Sequence, residues 1–494
     1  MTNSNSMGVI FQLMLSVVLL ACGSNSSEPN NNEKVDQTSE EVLDGKLSLE
    51  VSIKGASNDL AKLLGVFGNQ NFIADSARSD VNGKFVFEAD SLLPSGFYYL
   101  MLGSDNSYFQ LVLDKDQEFK LETIKGDYVK SMKVEGCLDN ELLYKNLKFE
   151  AEFGMRLQSV NKQLAAVGEG TTEYNTVKAK QETLIKERTD HVQWFSDKES
   201  NSFFTKFKTS GQNPDLTYPK LPNGQVDQVA QVYLYRRAFF DNVDLNADWT
   251  LRTPVFANKL RKYIREITPQ NADSLIRYSD ELISKIKGNK ELFKFVVNWI
   301  ALEYKTPKTM GTEAVYVHMI DTYWTPELAF WSNPKEIKGL RDEISLMKPS
   351  LIGKIAQDVE AVNENGEAVS IHGMKSPIKV VFIYSYDCEH CQKEAPEMVQ
   401  VYNQWKSEGL DVFALCTDKD KSKWQEFVRK NGMTFHNAFD PERKSRYDRK
   451  YHIDITPELY VLDKNNKIIA SNLSPAQLPD FLEAERGWRE TQNH

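Results

Sequence analysis

The sequence predicts a multidomain α+β protein with an N-terminal antiparallel β domain, a central all-α domain and a C-terminal α/β domain. Three observations carry this. The chain has 494 residues, more than one ordinary core accommodates. Hydropathy alternates with period two through much of residues 45–136, the mark of half-buried strands. From residue 350 onward strand-like runs alternate with helix-like ones, which implies a βαβ sheet. A composition of 41% hydrophobic and 26% charged residues is that of a globular chain. The net charge of -10 argues against a nucleic-acid partner, and no basic patch with interleaved aromatics or Gly-rich phosphate loop occurs.

The N-terminus reads as a targeting segment. Val9 to Ala21 is largely apolar but too short for a permanent bilayer span. It ends in Leu19-Leu20-Ala21-Cys22-Gly23, which resembles a bacterial lipoprotein signal with its lipobox. That resemblance implies cleavage before Cys22 and lipidation of its thiol, so residues 1–22 form the signal with the lipobox Cys. Residues 23–44 form a polar, flexible tether. No Lys or Arg precedes the apolar run, a departure from the pattern. The alternative is an uncleaved apolar anchor, and either way the folded part lies outside the cytoplasm.

Residues 45–136 are expected to form a sandwich-like β domain. Lys46–Ile53 and Lys84–Glu88 alternate polar and apolar; Phe97–Leu102 and Tyr108–Leu113 are aromatic-rich strands. Asp80-Val81-Asn82-Gly83, Pro94-Ser95-Gly96 and Gly103-Ser104-Asp105-Asn106 supply the turns.

Residues 137–349 are expected to be helical. Thr253-Pro254, Thr268-Pro269, Thr325-Pro326 and Asn333-Pro334 each place a capping residue before a proline that fits the first helical position. Leu275, Ile276, Leu282, Ile283 and Ile286 fall on one helical face, and Leu292–Ile300 is apolar nearly all round, as a buried helix would be. Trp324, Phe330 and Trp331 suit either core packing or a peptide groove. Met347-Lys348-Pro349-Ser350 reads as a linker.

In the last domain, residues 350–494, Lys379–Tyr384 and Leu410–Leu415 read as buried strands and Lys423–Val428 as a helix. Glu458–Asp463 and Lys467–Ala470 read as a terminal hairpin. The basic run Arg443–Lys450, flanked by Tyr447 and Tyr451, reads as a solvated helix.

The chemistry gathers at Cys388-Glu389-His390-Cys391, the one C-x-x-C among five cysteines. At a strand-to-helix junction the first Cys meets unpaired N–H groups and the positive helix end, which stabilise a thiolate. The second lies one turn on and can close a disulfide. Half of a zinc site is the competing reading, but no second Cys or His pair has the spacing. Cys416, at the end of an apolar strand, reads as a core thiol, and Cys137 as a free thiol.

Pro349–Leu482 resembles the TlpA/ResA-type periplasmic thioredoxin-like proteins. The resemblance rests on Gly366-Glu367-Ala368-Val369-Ser370-Ile371, Val380–Tyr384, the motif continuing to Pro396, and Asp454-Ile455-Thr456-Pro457-Glu458-Leu459-Tyr460-Val461-Leu462-Asp463. It implies a thioredoxin-like fold in which Cys388 is the nucleophile and Cys391 the resolving thiol. By the same resemblance, Glu394 exchanges protons with the resolving thiol, Pro396 kinks the active-site helix, and Thr456 and the cis-proline Pro457 receive the substrate. The sequence departs from the family in having Tyr386 and Asp387 where Trp is common, and Phe382 where cytoplasmic thioredoxins carry a buried Asp. His390 takes the place of the usual Pro and resembles the oxidising members of the superfamily. Glu389 and His390 would tune the pair in opposite senses.

The expected function is thiol–disulfide exchange on protein disulfides, in the reducing direction, with no cofactor beyond the redox-active Cys388–Cys391 pair and no metal. Protein thiols and disulfides would be its substrates and a membrane electron carrier its reductant. The expected location is the periplasmic face of a Gram-negative membrane, the outer rather than the inner. The alternatives are a disulfide oxidase or isomerase, and a binding lipoprotein whose thioredoxin-like domain is a docking module.

Overall fold

The computed structural model describes residues 44–306 and 309–492, with side chains to residue 486. The expected signal, Cys22 and the tether to residue 43 lie outside the described residues.

Eight strands open the described chain: β1 (Leu47–Lys54), β2 (Leu60–Phe67), β3 (Gln70–Arg78), β4 (Lys84–Ala89), β5 (Gly96–Leu102), β6 (Tyr108–Leu113), β7 (Glu118–Ile124) and β8 (Lys133–Glu135). They form two four-stranded sheets, ordered β4-β1-β7-β8 and β3-β2-β5-β6. The period-two pattern is realised literally: Leu47, Leu49, Val51 and Ile53 of β1 are all buried. Every pairing is antiparallel except β1 with β7, which is parallel.

Nine helices follow: α1 (Leu138–Ala165), α2 (Thr172–Lys198), α3 (Phe203–Ser210), α4 (Gln228–Ala238), α5 (Pro254–Lys262), α6 (Ala272–Ile286), α7 (Lys290–Lys305), α8 (Glu313–Tyr323) and α9 (Pro334–Met347). The cores cut across the expected boundary at residue 137. Leu142, Leu143 and Tyr144 of α1, Phe195 of α2, and Phe203 and Phe204 of α3 join the core of the two sheets. The second core runs from Phe239 to Met347 and includes α7, whose Leu292, Val296, Val297 and Ile300 are fully buried.

Of the four Thr/Asn-Pro signals, only Asn333-Pro334 makes a side-chain cap. Asn333 accepts from the N–H groups of Lys335 and Glu336, and Glu336 completes a capping box. Thr253 precedes α5 without a side-chain cap. Thr268 closes a π-turn, Tyr263–Ile267, and α6 starts later, capped by Asn271. Thr325 accepts from the Leu328 N–H in a turn, and no helix begins there. A proline restricts the residue before it but does not by itself start a helix. Trp324 is buried in the helical core, whereas Phe330 is 55% exposed.

The expected linker at Met347–Ser350 is packed. Met347 belongs to the helical core, and the buried Ser350 Oγ accepts from the His452 N–H at 3.1 Å. The β and helical parts interlock as well. The Gly68 N–H donates to the Leu251 carbonyl at 2.7 Å, and the Arg252 guanidinium lies over the Phe67 ring. Gly68 has φ +60°, and a Cβ there would lie 2.2 Å from the Phe295 ring, so the close approach requires glycine.

The last part contains β9 (Glu360–Val362), β10 (Ala368–Ser370), β11 (Ile378–Tyr384), α10 (Glu389–Trp405), β12 (Leu410–Cys416), α11 (Lys421–Asn431), β13 (His436–Phe439), α12 (Tyr447–Lys450), β14 (Glu458–Leu462), β15 (Ile468–Ser471) and α13 (Leu478–Gln492). One sheet orders them β10-β9-β13-β12-β11-β14-β15. The inner strands β13, β12 and β11 run parallel, β14 pairs antiparallel with β11, and β15 pairs antiparallel with β14. β11 is buried along its whole length, as its continuous apolar run implies. The basic run at 443–450 is solvated at Arg443, Lys444, Arg446 and Arg449, as expected, but it is not one helix and its tyrosine points inward. α12 is four residues long, and Tyr447 and Tyr451 are each 1% exposed in the core beneath the sheet.

Candidate functional site

The site lies at the C-terminal end of β11, where the chain turns into α10. Cys388 is the N-cap of that helix, with extended backbone, and its sulfur accepts from the Cys391 N–H at 3.4 Å. Cys391 is fully buried one turn in, and its sulfur accepts from the Ser385 N–H at 3.5 Å. Cys388 is partly exposed; both thiols are free.

The two sulfurs have opposed acidities. Burial pushes the Cys388 thiol up, but hydrogen bonds from the Cys391 thiol and N–H, from Thr456 and from the His390 N–H outweigh it, and its pKa falls below the ordinary value. Burial pushes Cys391 up to about 12, and the neighbouring Cys388 adds to the rise.

The loop before β14 closes over the pair. The Thr456–Pro457 peptide bond is cis, and the Cys388 thiol donates to the Thr456 carbonyl at 3.1 Å. Ile455, beside Thr456, is 70% exposed. Glu389 and His390 are both exposed in the first turn of α10. Glu394 lies half-buried on the same helix. Burial and the Glu397 charge raise its pKa, while His390 opposes them. No hydrogen bond joins Glu394 to either sulfur among the described residues. Pro396 sits inside α10. No group of three or more His, Cys, Asp and Glu side chains suited to a metal ion occurs among the described residues.

Two features escaped the sequence reading. Asp418, just past β12, holds the loop that leads into the motif. It accepts from the Tyr386 N–H at 2.7 Å and from the Ser385 hydroxyl at 2.9 Å. An Asp two residues after a strand carries no signal of this until the strands pair. The second is a carboxyl pair. Glu458, directly after Pro457, is 7% exposed, and Glu313, at the start of α8 in the helical part, is 8% exposed. The Ser471 hydroxyl donates to Glu313 at 3.4 Å, and the second Glu313 oxygen is buried without a partner among the described residues. Burial, then the charges of Asp454 and Glu313, push Glu458 up to about 8.

Beside the motif, between α10 and α11, lies a groove of about 600 Å³. Tyr386, Glu389 and Gln392 line it together with Lys393, Lys423 and Lys430.

A parallel-centred sheet, a Cys pair at a helix N-terminus and a facing cis-proline define the C-terminal part as a thioredoxin-like domain of the protein-disulfide oxidoreductase class. The sequence comparisons agree. Residues 352–471 match the model of the AhpC/TSA family. The chain is 25% identical over 118 residues to the thiol-disulfide oxidoreductase ResA of Bacillus thuringiensis, covering 24% of this chain and 67% of that protein. To ResA of Bacillus subtilis it is 22% identical over 133 residues, covering 26% and 73%. Among solved structures, a thioredoxin-like protein from Bacteroides caccae is similar with TM-score 0.44 and 15% identity, covering 55% of this chain and 99% of that one. The thioredoxin domain of a thiol-disulfide oxidoreductase from Bacteroides vulgatus gives TM-score 0.26 and 22% identity, covering 27% and 96%.

Proposed function

We propose that this protein reduces disulfides of exported proteins, with Cys388 attacking and Cys391 resolving. The observation that carries the reading is the asymmetry of the pair: one thiol partly exposed and acidified, the other buried with its pKa near 12. The Cys388 thiolate attacks one sulfur of the substrate disulfide, forming a mixed disulfide and expelling a substrate thiolate. Cys391 then gives up its proton and attacks the Cys388 sulfur. The second substrate thiolate leaves and takes a proton, and the two electrons end on the substrate.

Glu394, half-buried on the same helix with a raised pKa, is the proposed carrier of the Cys391 proton. Thr456 and Pro457 receive the extended substrate, and the lysine-lined groove lies alongside. The oxidised Cys388–Cys391 pair is returned to the dithiol by a membrane electron carrier, because the exported compartment is itself oxidising. Anchorage through a lipidated Cys22, on the periplasmic face of the outer membrane, would place the domain where such substrates occur. Support for this comes from the lipobox-like Leu19–Gly23 and from the absence of Asp after Cys22.

A second reading, disulfide oxidation or isomerisation, rests on His390 in the motif and on the lowered pKa of Cys388, to which the His390 backbone N–H contributes, since a stabilised thiolate favours the reduced form and makes the disulfide a stronger oxidant. Insulin reduction by wild type and Cys388→Ala, run beside oxidation of a reduced protein, tests both. Reduction that vanishes in the variant supports the first reading; catalysed oxidation without reduction supports the second. Neither activity in wild type would sink both.

A further inference from the structure

Well away in sequence from the Cys pair, the helical part holds a cavity of about 420 Å³ between α4 and α6, closed on one side by the π-turn at Tyr263. Its charge is out of keeping with the chain. Arg236, Arg237, Arg277 and Lys285 line it against a single carboxylate, Glu281, in a protein of net charge -10.

Arg236 is the informative residue. It is 8% exposed, so its guanidinium is largely withdrawn from water. Its Nε donates to the Ile267 carbonyl at 3.0 Å, its Nη1 donates to the Tyr278 hydroxyl at 2.9 Å, and the Tyr278 ring lies 4.6 Å beneath it. All three partners are neutral. A buried charge is ordinarily paired, because desolvating an ion without a counter-ion is costly. The one carboxylate in the cavity is already engaged: Arg277 Nε bonds to Glu281 at 3.0 Å. No ion pair reaches Arg236, Arg237 or Lys285 among the described residues. No hydrogen bond from the Nη2 of Arg236 is found among the described residues either, and Arg236 is one of the residues that line the cavity.

The walls have a different chemistry. Phe240 and Tyr263 are each 5% exposed, and Tyr278 and Tyr233 continue the aromatic surface to the rim. Aromatic walls favour a flat, apolar body, and the volume is within the range of small-molecule sites. A guanidinium fork with free N–H groups favours a carboxylate, sulfate or phosphate oxygen pair.

We propose that this cavity is a binding site for a small aromatic molecule bearing an oxyanion, with Arg236 as its buried counter-ion and Arg237 and Lys285 as rim cations. The site is independent of disulfide exchange, so its failure and that of the redox reading are separable.

The test uses the full chain and three probes: 4-nitrophenyl phosphate, 4-nitrobenzoate and the neutral 4-nitrobenzamide, measured by isothermal titration at low salt. At least one charged probe should bind about tenfold or more tighter than the amide, and which one does so separates phosphate esters from carboxylates. Arg237→Glu and Lys285→Glu change exposed residues and should keep the circular dichroism of wild type. Each should weaken that binding about tenfold while leaving insulin reduction unchanged. Equal affinity for charged and neutral probes, or binding indifferent to both charge reversals, would overturn the proposal. Inorganic phosphate binding as tightly as its aromatic ester would overturn the aromatic half of it.

Discussion

The thiol of Cys388 and the carbonyl of Thr456 are joined by a 3.1 Å hydrogen bond across 68 residues of chain. The bond ties the candidate nucleophile to the residue before the cis-proline. When Cys388 ionises it loses that donated proton, and the carbonyl is released to accept from an incoming backbone N–H. On the proposed reading, the resting contact and the substrate contact would use the same acceptor.

Trapping follows from the burial of the two sulfurs. Cys391→Ala should accumulate mixed disulfides with natural partners, because the adduct on Cys388 then has no neighbouring thiol to release it. Cys416 is fully buried, and its pKa is pushed to about 12 by burial, with Cys391 contributing. Since it shares the core with Cys391, the trap is best built with Cys416→Ala added. Thiol-quenched pull-downs from native cells should yield adducts from this variant and few from Cys388→Ala. Equal trapping by both would reverse the assigned roles.

Alkylation should separate the same two thiols without a substrate. Cys388 is acidified and Cys391 is held near 12. At neutral pH iodoacetamide should modify Cys388 at least about a hundredfold faster than Cys391, from thiolate fraction and access together. Peptide mass spectrometry over a time course reads the ratio; comparable rates would mean that the burial of Cys391 does not govern its reactivity.

Glu394→Gln should slow turnover severalfold or more while the fold remains intact. Its carboxyl is half-buried, and burial with the Glu397 charge raises its pKa, which favours the protonated form relative to a free carboxylate. Wild-type rates for the variant across about pH 6 to 9 would remove Glu394 from the proton path.

The Glu313–Glu458 pair makes stability depend on pH. Glu458 titrates near 4.5 when unfolded and at about 8 in the fold, and Glu313 is raised as well by burial. A raised carboxyl is favoured in its neutral form, so its contribution is complete below about pH 4.5 and is lost as pH rises through about 8. The effect of Glu458 is at most about 5 kcal/mol, before relaxation of the interface reduces it. Glu458→Gln should raise Tm at pH 8 and flatten the decline between pH 5 and 8, read by thermal denaturation. An unchanged slope would show that the pair ionises freely in place.

The parts of this fold that were legible in the sequence are those with local signals. The strand Lys379–Tyr384 and the helix it feeds were marked by a buried apolar run and a Cys at the cap. α6 and α7 were marked by their apolar faces. What was not legible depends on pairing across the chain. β13 has four residues and a mixed pattern, and becomes a strand because β12 offers it an edge. Tyr447 and Tyr451 lie in a basic stretch, yet their rings fill the space beneath β14, where Tyr451 meets Tyr460 at 5.2 Å. Asp418 and the Glu313–Glu458 pair acquire their roles only when distant segments meet. Thr253-Pro254 does open α5, but the signals at Thr268 and Thr325 misled because the same dipeptide suits a turn and a helix start equally.

β1, the first strand of the described chain, is held on both flanks: Leu47–Ser52 pair antiparallel with β4, and Ser48–Lys54 pair parallel with β7. Tension arriving from the N-terminal side would run along this strand, across the direction of its hydrogen bonds. Two ladders must then slip together rather than unzip bond by bond. An edge strand in that place would peel under a small load. A pull arriving from that side thus meets, first among the described elements, a doubly clamped strand that is remote in sequence from the helix that carries Cys388.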